Sequence, residues 1–282
     1  MLLAYIAGFA AALALALAAT PPVKRLAFKI GAVDAPGARK VHTKIMPRLG
    51  GLAVYLAFAG ALLIALPLAS GEKPHVIWGL LLGGTLVMLV GALDDRFDLP
   101  PWAKLLGQIA AAVVVVAFGL KVEFITIPFG TEAYVGWLSV PITILWIVGV
   151  TNAVNLIDGL DGLAGGVSAI ATATIFALSL MMGNVTVALL SAVLLGSIVG
   201  FLFFNFHPAK IFLGDSGALF LGFSLAALSV LGFKQATLMS FLVPVFVLGV
   251  PLSDTFFAIV RRVLNKRPIS AADKNHLHHC LL

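Results

Sequence analysis

Continuous apolar runs of about twenty residues recur along this chain, each long enough for a helix to cross the hydrocarbon core of a bilayer. Leu2 to Ala19 is the first such run. In lipid every backbone polar group must be satisfied internally, so only helices and closed barrels span. A barrel requires period-two alternation in segments of about ten residues, whereas these runs are apolar throughout. Charged residues make up 11% of the 282 and hydrophobic residues 61%, against about 25% charged in a soluble domain. The chain therefore has too little polar surface to face water, and an all-α, polytopic membrane helical bundle is expected. It reads as one integral membrane domain over 1–282, with no soluble domain or internal repeat.

Runs and breakers give nine spans: about 2–19, 49–70, 76–93, 102–119, 138–154, 163–182, 185–204, 216–233 and 236–260. The first has no basic residue ahead of it and a second span follows, so it reads as a retained helix, not a signal peptide. Gly79 to Gly83 and Gly196 to Gly200 have the small-residue spacing of close helix packing. An alternating stretch from Val122 to Ile127 predicts a small structural hairpin in the loop 120–137. Cys280 is the single cysteine, which excludes an intrachain disulfide framework.

Loops alternate between two sides. Fifteen Lys and Arg residues fall on the side of 20–48, 94–101, 155–162, 205–215 and 261–282, and only Lys73, Lys121 and Lys234 on the other. The positive-inside bias makes the first side cytoplasmic and puts the N-terminus outside. The formal charge of +6 thus belongs to membrane topology, and no nucleic-acid partner is expected. All nine aspartates lie on or near the cytoplasmic side, and all three glutamates lie outside. Positive-inside makes no demand on acids, so this clustering has another cause.

Four constellations carry it. Span 3 ends in GALDDRFDLP, with Asp94 beside Asp95 and Asp98 one turn on. Adjacent carboxylates near a membrane repel each other, and the alternatives are a solvated turn or a bound divalent cation or phosphate-bound cation. After span 5, TNAVNLIDGLDGLAGG repeats Asn152, Asn155, Asp158 and Asp161 every third residue, on one face of a helical turn. It lacks the spacing and closing Glu of a calcium loop. A plain capped helix start would use Asp161 as N-cap of span 6. In FFNFHPAKIFLGDSGALFLG, the residues Asn205, His207, Lys210, Asp215 and Ser216 interrupt an apolar stretch. Asp215 would stand at a helix N-terminus, a place for a capping acid, an anion or a metal–phosphate complex. The tail ends DKNHLHHC, where His276, His278 and His279 suit phosphate contact or proton transfer as well as a transition metal. Asp254 is the one acid inside a span. Oxygen donors favour Mg²⁺ (with Mn²⁺ as a substitute), which binds through one or two carboxylates plus substrate phosphates. A phosphoryl-transfer site at a membrane surface follows, with a lipid as one substrate.

PRLGG (Pro47 to Gly51), LDDRFDLPPWAKLLGQ, NLIDGLDGLAGG, NFHPAKIFLGDSG and HLHH resemble, in order and over nearly the whole chain, the polyprenyl-phosphate N-acetylhexosamine-1-phosphate transferases of bacterial cell-envelope synthesis. PRLGG and the split HLHH look like the branch using UDP-GlcNAc for teichoic acid, O-antigen or enterobacterial common antigen. The resemblance implies transfer of GlcNAc-1-phosphate from UDP-GlcNAc to undecaprenyl phosphate in the bacterial inner membrane, with UMP released. It implies Asp215 as the Mg²⁺ ligand, and Asp94 and Asp95 binding or deprotonating the lipid phosphate. Gly159, Leu160, Asp161, Asn205 and Phe212 would hold the uridine, with Asn155 and Asp158 in the same substrate motif. His276, His278 and His279 would touch phosphates or sugar, and Lys44 and Arg48 are further substrate-binding candidates. The family continues through one or two more helices beyond Leu282, and has Arg where Cys280 stands. A homodimer stays open. The alternatives are a phospho-MurNAc-pentapeptide transferase, or a transporter with an acidic cytoplasmic vestibule.

Overall fold

Helix is the form in which an apolar run can leave no backbone group unpaired in lipid, and every run falls in a helix wherever the chain is described. The computed structural model describes residues 1–36, 45–65, 74–126 and 132–232. Within them stand α1 (Leu2–Ile30), α2 (Gly50–Ala65), α3 (Pro74–Phe97), α4 (Pro101–Ala117), α5 (Ser139–Ile157), α6 (Leu163–Met181), α7 (Val185–Asn205) and α8 (Gly214–Gly232). Two short antiparallel ribbons complete it: β1 (Val33–Asp34) with β2 (Met46–Pro47), and β3 (Phe124–Thr126) with β4 (Glu132–Tyr134). The second ribbon is the hairpin expected in the loop 120–137.

The all-helical class is as expected, and the first eight expected spans each coincide with a described helix. Among the described residues, six helices are long and apolar enough to cross a membrane, while α2 and α4 are shorter apolar helices. Helix α4 is bounded by Pro100 as its N-cap, with Pro101 as its first residue, and by Gly119 at φ +92° behind it. The span expected at 236–260, with Asp254, lies outside the described residues.

A correction concerns the loop 20–48. Helix α1 does not stop at Ala19 but runs through Pro21 and Pro22 to Ile30, where Gly31 closes it in the left-handed conformation. Its 29 residues extend about 43 Å, well beyond a hydrocarbon core of about 30 Å. Lys24, Arg25 and Lys29 thus sit on a helical extension. The two prolines remove helical donors. Just before them the buried Thr20 hydroxyl donates to the Ala16 carbonyl at 2.6 Å.

Helix α8 is the hub. It is buried along its length apart from Asp215, and it packs on α2, α3, α5 and α6, while α1 lies against α2 and α7. The close approaches rest on glycine. A Cβ on Gly196 or Gly200 would strike the Phe9 or Leu13 carbonyl of α1, and one on Gly79 or Gly83 would strike Phe118 or Phe223, so both pairs pack as their spacing predicted. At the hub, a Cβ on Gly51 of α2 would lie 1.9 Å from the Gly217 nitrogen, and one on Gly91 of α3 would lie 2.5 Å from the Asp215 carbonyl. These contacts bring α2, α3 and the first turn of α8 to one point.

Gly51→Ala should lower the midpoint of thermal unfolding in detergent by several degrees, since backbone must move to admit a methyl group (about 1–3 kcal/mol). Gly149→Ala, where an added Cβ meets nothing within 4 Å, should leave the midpoint unchanged. Equal midpoints for the two variants would contradict this packing.

Candidate active site

The site is assembled by the turn that ends α3. The Asp94 carboxylate accepts from the Leu99 N–H at 2.7 Å, and the Asp94 carbonyl accepts from the Asp98 N–H at 2.9 Å. Asp98 takes φ +48° to close the turn, and Pro101 then starts α4. One turn into α4, Lys104 points back across this junction. Its Nζ donates to Asp94 Oδ2 at 3.0 Å and to Asp215 Oδ2 at 2.9 Å. Asn155 near the end of α5 donates to the other Asp215 oxygen at 3.2 Å. Below this, the amides of Gln108 and Asn152 pair with each other.

Asp95 does different work from its neighbour. Its side chain is fully buried, and its oxygens accept from the backbone N–H groups of Asp215 at 2.8 Å and Ser216 at 3.1 Å. The acid that caps α8 is therefore Asp95, donated by another helix, and not Asp215. Gly214 makes room for it, because it stands at φ +72° and a Cβ there would meet the Asp95 carboxylate at 2.6 Å. Asp215 is left with its carboxylate free of the helix end and 22% exposed, against 5% for Asp94. It is the most open of the three.

Arg48 of the PRLGG motif reaches the same place. Its Nε donates to Asp95 at 3.3 Å, and its other nitrogens pair with Asp98 at 3.5 Å and Asp34 at 4.0 Å. Burial pushes its guanidinium pKa down, but Asp95, Asp215 and Asp98 together outweigh that and leave it raised. Asp158, at the end of α5, has its carboxyl raised well above the usual carboxylate range, by burial first and then by the charges of Asp215 and Asp95. Six carboxyl groups (Asp34, Asp94, Asp95, Asp98, Asp158 and Asp215) thus gather about two described cations, Arg48 and Lys104.

The NLIDGLDG loop meets the loop before α8 at a second point. Asp161 Oδ2 accepts from the Ala209 N–H at 3.0 Å and lies 3.1 Å from His207 Nδ1. Helix α6 has Gly162 as its N-cap, with no side-chain cap, so the capped-helix reading of Asp161 is corrected. Asn205 is buried and fastens its own loop, donating to the Ile211 carbonyl at 3.0 Å. Phe212 is half-buried, and its N–H donates to the Pro47 carbonyl at 2.8 Å. Gly159 is exposed and Leu160 half-buried on the same loop as Asp161. Lys44, His276, His278 and His279 lie outside the described residues.

Sequence reading missed Lys104, Gln108 and Asp34. Lys104 is the only charged residue in α4, and Gln108 stands four residues on, on the same face. A lone cation and a lone amide in an apolar helix were the signal.

A family model described as Glycosyl transferase family 4 matches residues 77–233, more than half of the chain. The chain belongs to glycosyl transferase family 4. Of similar proteins, the probable undecaprenyl-phosphate N-acetylglucosaminyl 1-phosphate transferase of Bacillus subtilis is 49% identical over 98% of this chain and 77% of that protein. The decaprenyl-phosphate N-acetylglucosaminephosphotransferase of Mycobacterium tuberculosis is 38% identical, over 94% of this chain and 72% of that protein. The phospho-N-acetylmuramoyl-pentapeptide-transferase of Listeria innocua is 34% identical over 68% of this chain and 63% of that protein. The resemblance of the motifs to the polyprenyl-phosphate N-acetylhexosamine-1-phosphate transferases, in their undecaprenyl-phosphate GlcNAc-1-phosphate branch, therefore holds. This family 4 chain is a transferase, and the transporter reading falls.

Because the folded state raises the Asp158 pKa, it holds that proton more tightly than the unfolded chain. Stability therefore falls as pH climbs from the ordinary carboxylate range toward the raised value. Asp158→Asn should raise the unfolding midpoint of the ligand-free protein by a few degrees at neutral pH and flatten its pH dependence. A lowered midpoint at pH 7 would contradict the crowding of these acids.

Proposed function

We propose that this family 4 chain transfers GlcNAc-1-phosphate from UDP-GlcNAc to undecaprenyl phosphate at the cytoplasmic face of the bacterial inner membrane, releasing UMP. One observation carries the reading. Asp94 and Asp215, from separate motifs, converge on one lysine at the end of a membrane-spanning bundle, beside Asn155. The relatives' names supply the polyprenyl phosphate and the N-acetylglucosaminyl group, and their higher identity favours this donor over the MurNAc-pentapeptide one.

The reaction joins two anions. A lipid phosphate oxygen forms a bond to the sugar-bearing phosphorus of the UDP-sugar, and the bond from that phosphorus to the UMP oxygen breaks. The nucleophile is already charged, so the barrier is electrostatic, and fixed cations lower it more than a strong base would. Lys104 is held between two carboxylates, and as a fixed cation it would meet diphosphate oxygens bound at them. Asp94 and Asp215 present oxygen donors only. Among the described residues no group of three or more His, Cys, Asp or Glu forms a cage. One or two carboxylates completed by substrate phosphates is the way Mg²⁺ is held, so Asp215, with Asp94, fits it. Mg²⁺ bound there would neutralise charge on the diphosphate. Asp161, Gly159, Leu160 and Phe212 line the loop contact proposed for uridine. Asn205 supports that loop from within. Lys44, His276, His278 and His279 enter through the resemblance, as phosphate or sugar contacts.

Purified protein with undecaprenyl phosphate and Mg²⁺ should release UMP from UDP-GlcNAc, and not from UDP-MurNAc-pentapeptide, and EDTA should abolish release. Asp215→Asn should cut the rate by about a thousandfold without lowering the unfolding midpoint. Full activity in Asp215→Asn would sink the metal assignment, and turnover of the MurNAc donor alone would sink the choice of sugar.

A further inference from the structure

We propose that Arg48 is a positioning residue that acts through Asp95, and does not bind substrate. Three sides of its guanidinium are taken by this chain's own carboxylates: Asp95 at 3.3 Å, Asp98 at 3.5 Å and Asp34 at 4.0 Å. Its main chain is tied down as well. The Arg48 N–H donates to the Ala32 carbonyl at 3.0 Å, on the β1–β2 ribbon.

The same motif is stitched to the segment leading into α8. Pro47 accepts from the Phe212 N–H at 2.8 Å, Gly50 donates to the Phe212 carbonyl at 3.0 Å, and Gly51 donates to the Leu213 carbonyl at 2.8 Å. Arg48 itself bridges Phe212 in parallel register. PRLGG therefore grips α8 twice. Its backbone holds the residues just before the helix, and its arginine compensates the buried carboxylate that caps the helix. Both grips fix the direction in which Asp215 leaves the first turn.

The chemistry explains arginine at this position. A carboxylate whose side chain is fully buried needs a paired cation, and Asp95 has Arg48. A guanidinium serves three acids from different edges, whereas an ammonium is a point charge. Lysine would keep the sign and lose the geometry. Asp34 thereby gains a role as the outer brace of the clamp, on strand β1.

The stability arm of the test is independent of the proposed transfer, and only its activity arm rests on that reading. Arg48→Gln should lower the unfolding midpoint in detergent by about 10 °C, as expected when a buried ion pair loses one partner. The double variant Arg48→Gln/Asp95→Asn should lose several degrees less than the sum of the two single losses, because the stranded charge is gone. If Arg48→Gln does not fold, Arg48→Lys and Asp34→Asn serve, with a larger loss for Arg48→Lys. In UMP release, Arg48→Lys should reduce kcat by about tenfold with KM for the UDP-sugar within about twofold. Parental midpoints in the single variants, additive losses in the double, or a KM raised about tenfold at constant kcat would each overturn the clamp and return Arg48 to substrate binding. Absence of UMP release in the parent protein would instead overturn the proposed transfer, and leave the clamp to be decided by the midpoints.

Discussion

Two backbone N–H groups at the start of α8 donate to the buried carboxylate of Asp95, and the rest of the site depends on that contact. A helix start leaves its first N–H groups without intrahelical partners and carries partial positive charge. In a bundle this apolar those groups need an acceptor from another element. Asp95, reaching over from α3, supplies both acceptor atoms and the opposite charge. Asp215 is thereby released from capping its own helix, and its carboxylate is available to Lys104, Asn155 and a ligand.

Acids gather here, where a membrane disfavours them, because the local fold uses them. Three of the carboxylates have a task that fixes their position: Asp94 closes the α3–α4 turn, Asp95 caps α8, and Asp161 fastens the loop before α8. Two described cations, Arg48 and Lys104, stand among six carboxyl groups. Such a crowd of oxygen donors suits the divalent cation of the proposed function. The Asp158 carboxyl is raised by burial first, and after it by the charges of Asp215 and Asp95.

The class of fold was legible because apolar runs in lipid have one common solution, and the helix starts at 101, 163 and 185 follow proline, glycine and asparagine signals in the sequence. The extension of α1 was not legible, because Pro21 and Pro22 read as a stop while a helix emerging from the bilayer can carry on past them. Asp94, Asp95, Asn155 and Asp215 stood out as polar residues in apolar surroundings, and they do meet. Their division of labour was hidden, since which of two neighbouring aspartates turns inward to cap α8 is decided by Gly91, Gly51 and Gly214, contacts between segments far apart in sequence. Lys104 was hidden for a related reason: a lysine near a span end reads as a topology signal until two carboxylates are seen on it.

In the proposed function, Asp215, freed by Asp95, is the carboxylate that meets the diphosphate's metal. An experimental structure with Mn²⁺ and UDP, read by the anomalous signal of the manganese, tests this most directly. A metal peak is expected about 2.1 Å from an Asp215 oxygen, with Asp95 still accepting from the N–H groups of Asp215 and Ser216. A metal held elsewhere, with Lys104 still bridging Asp94 and Asp215, would contradict it.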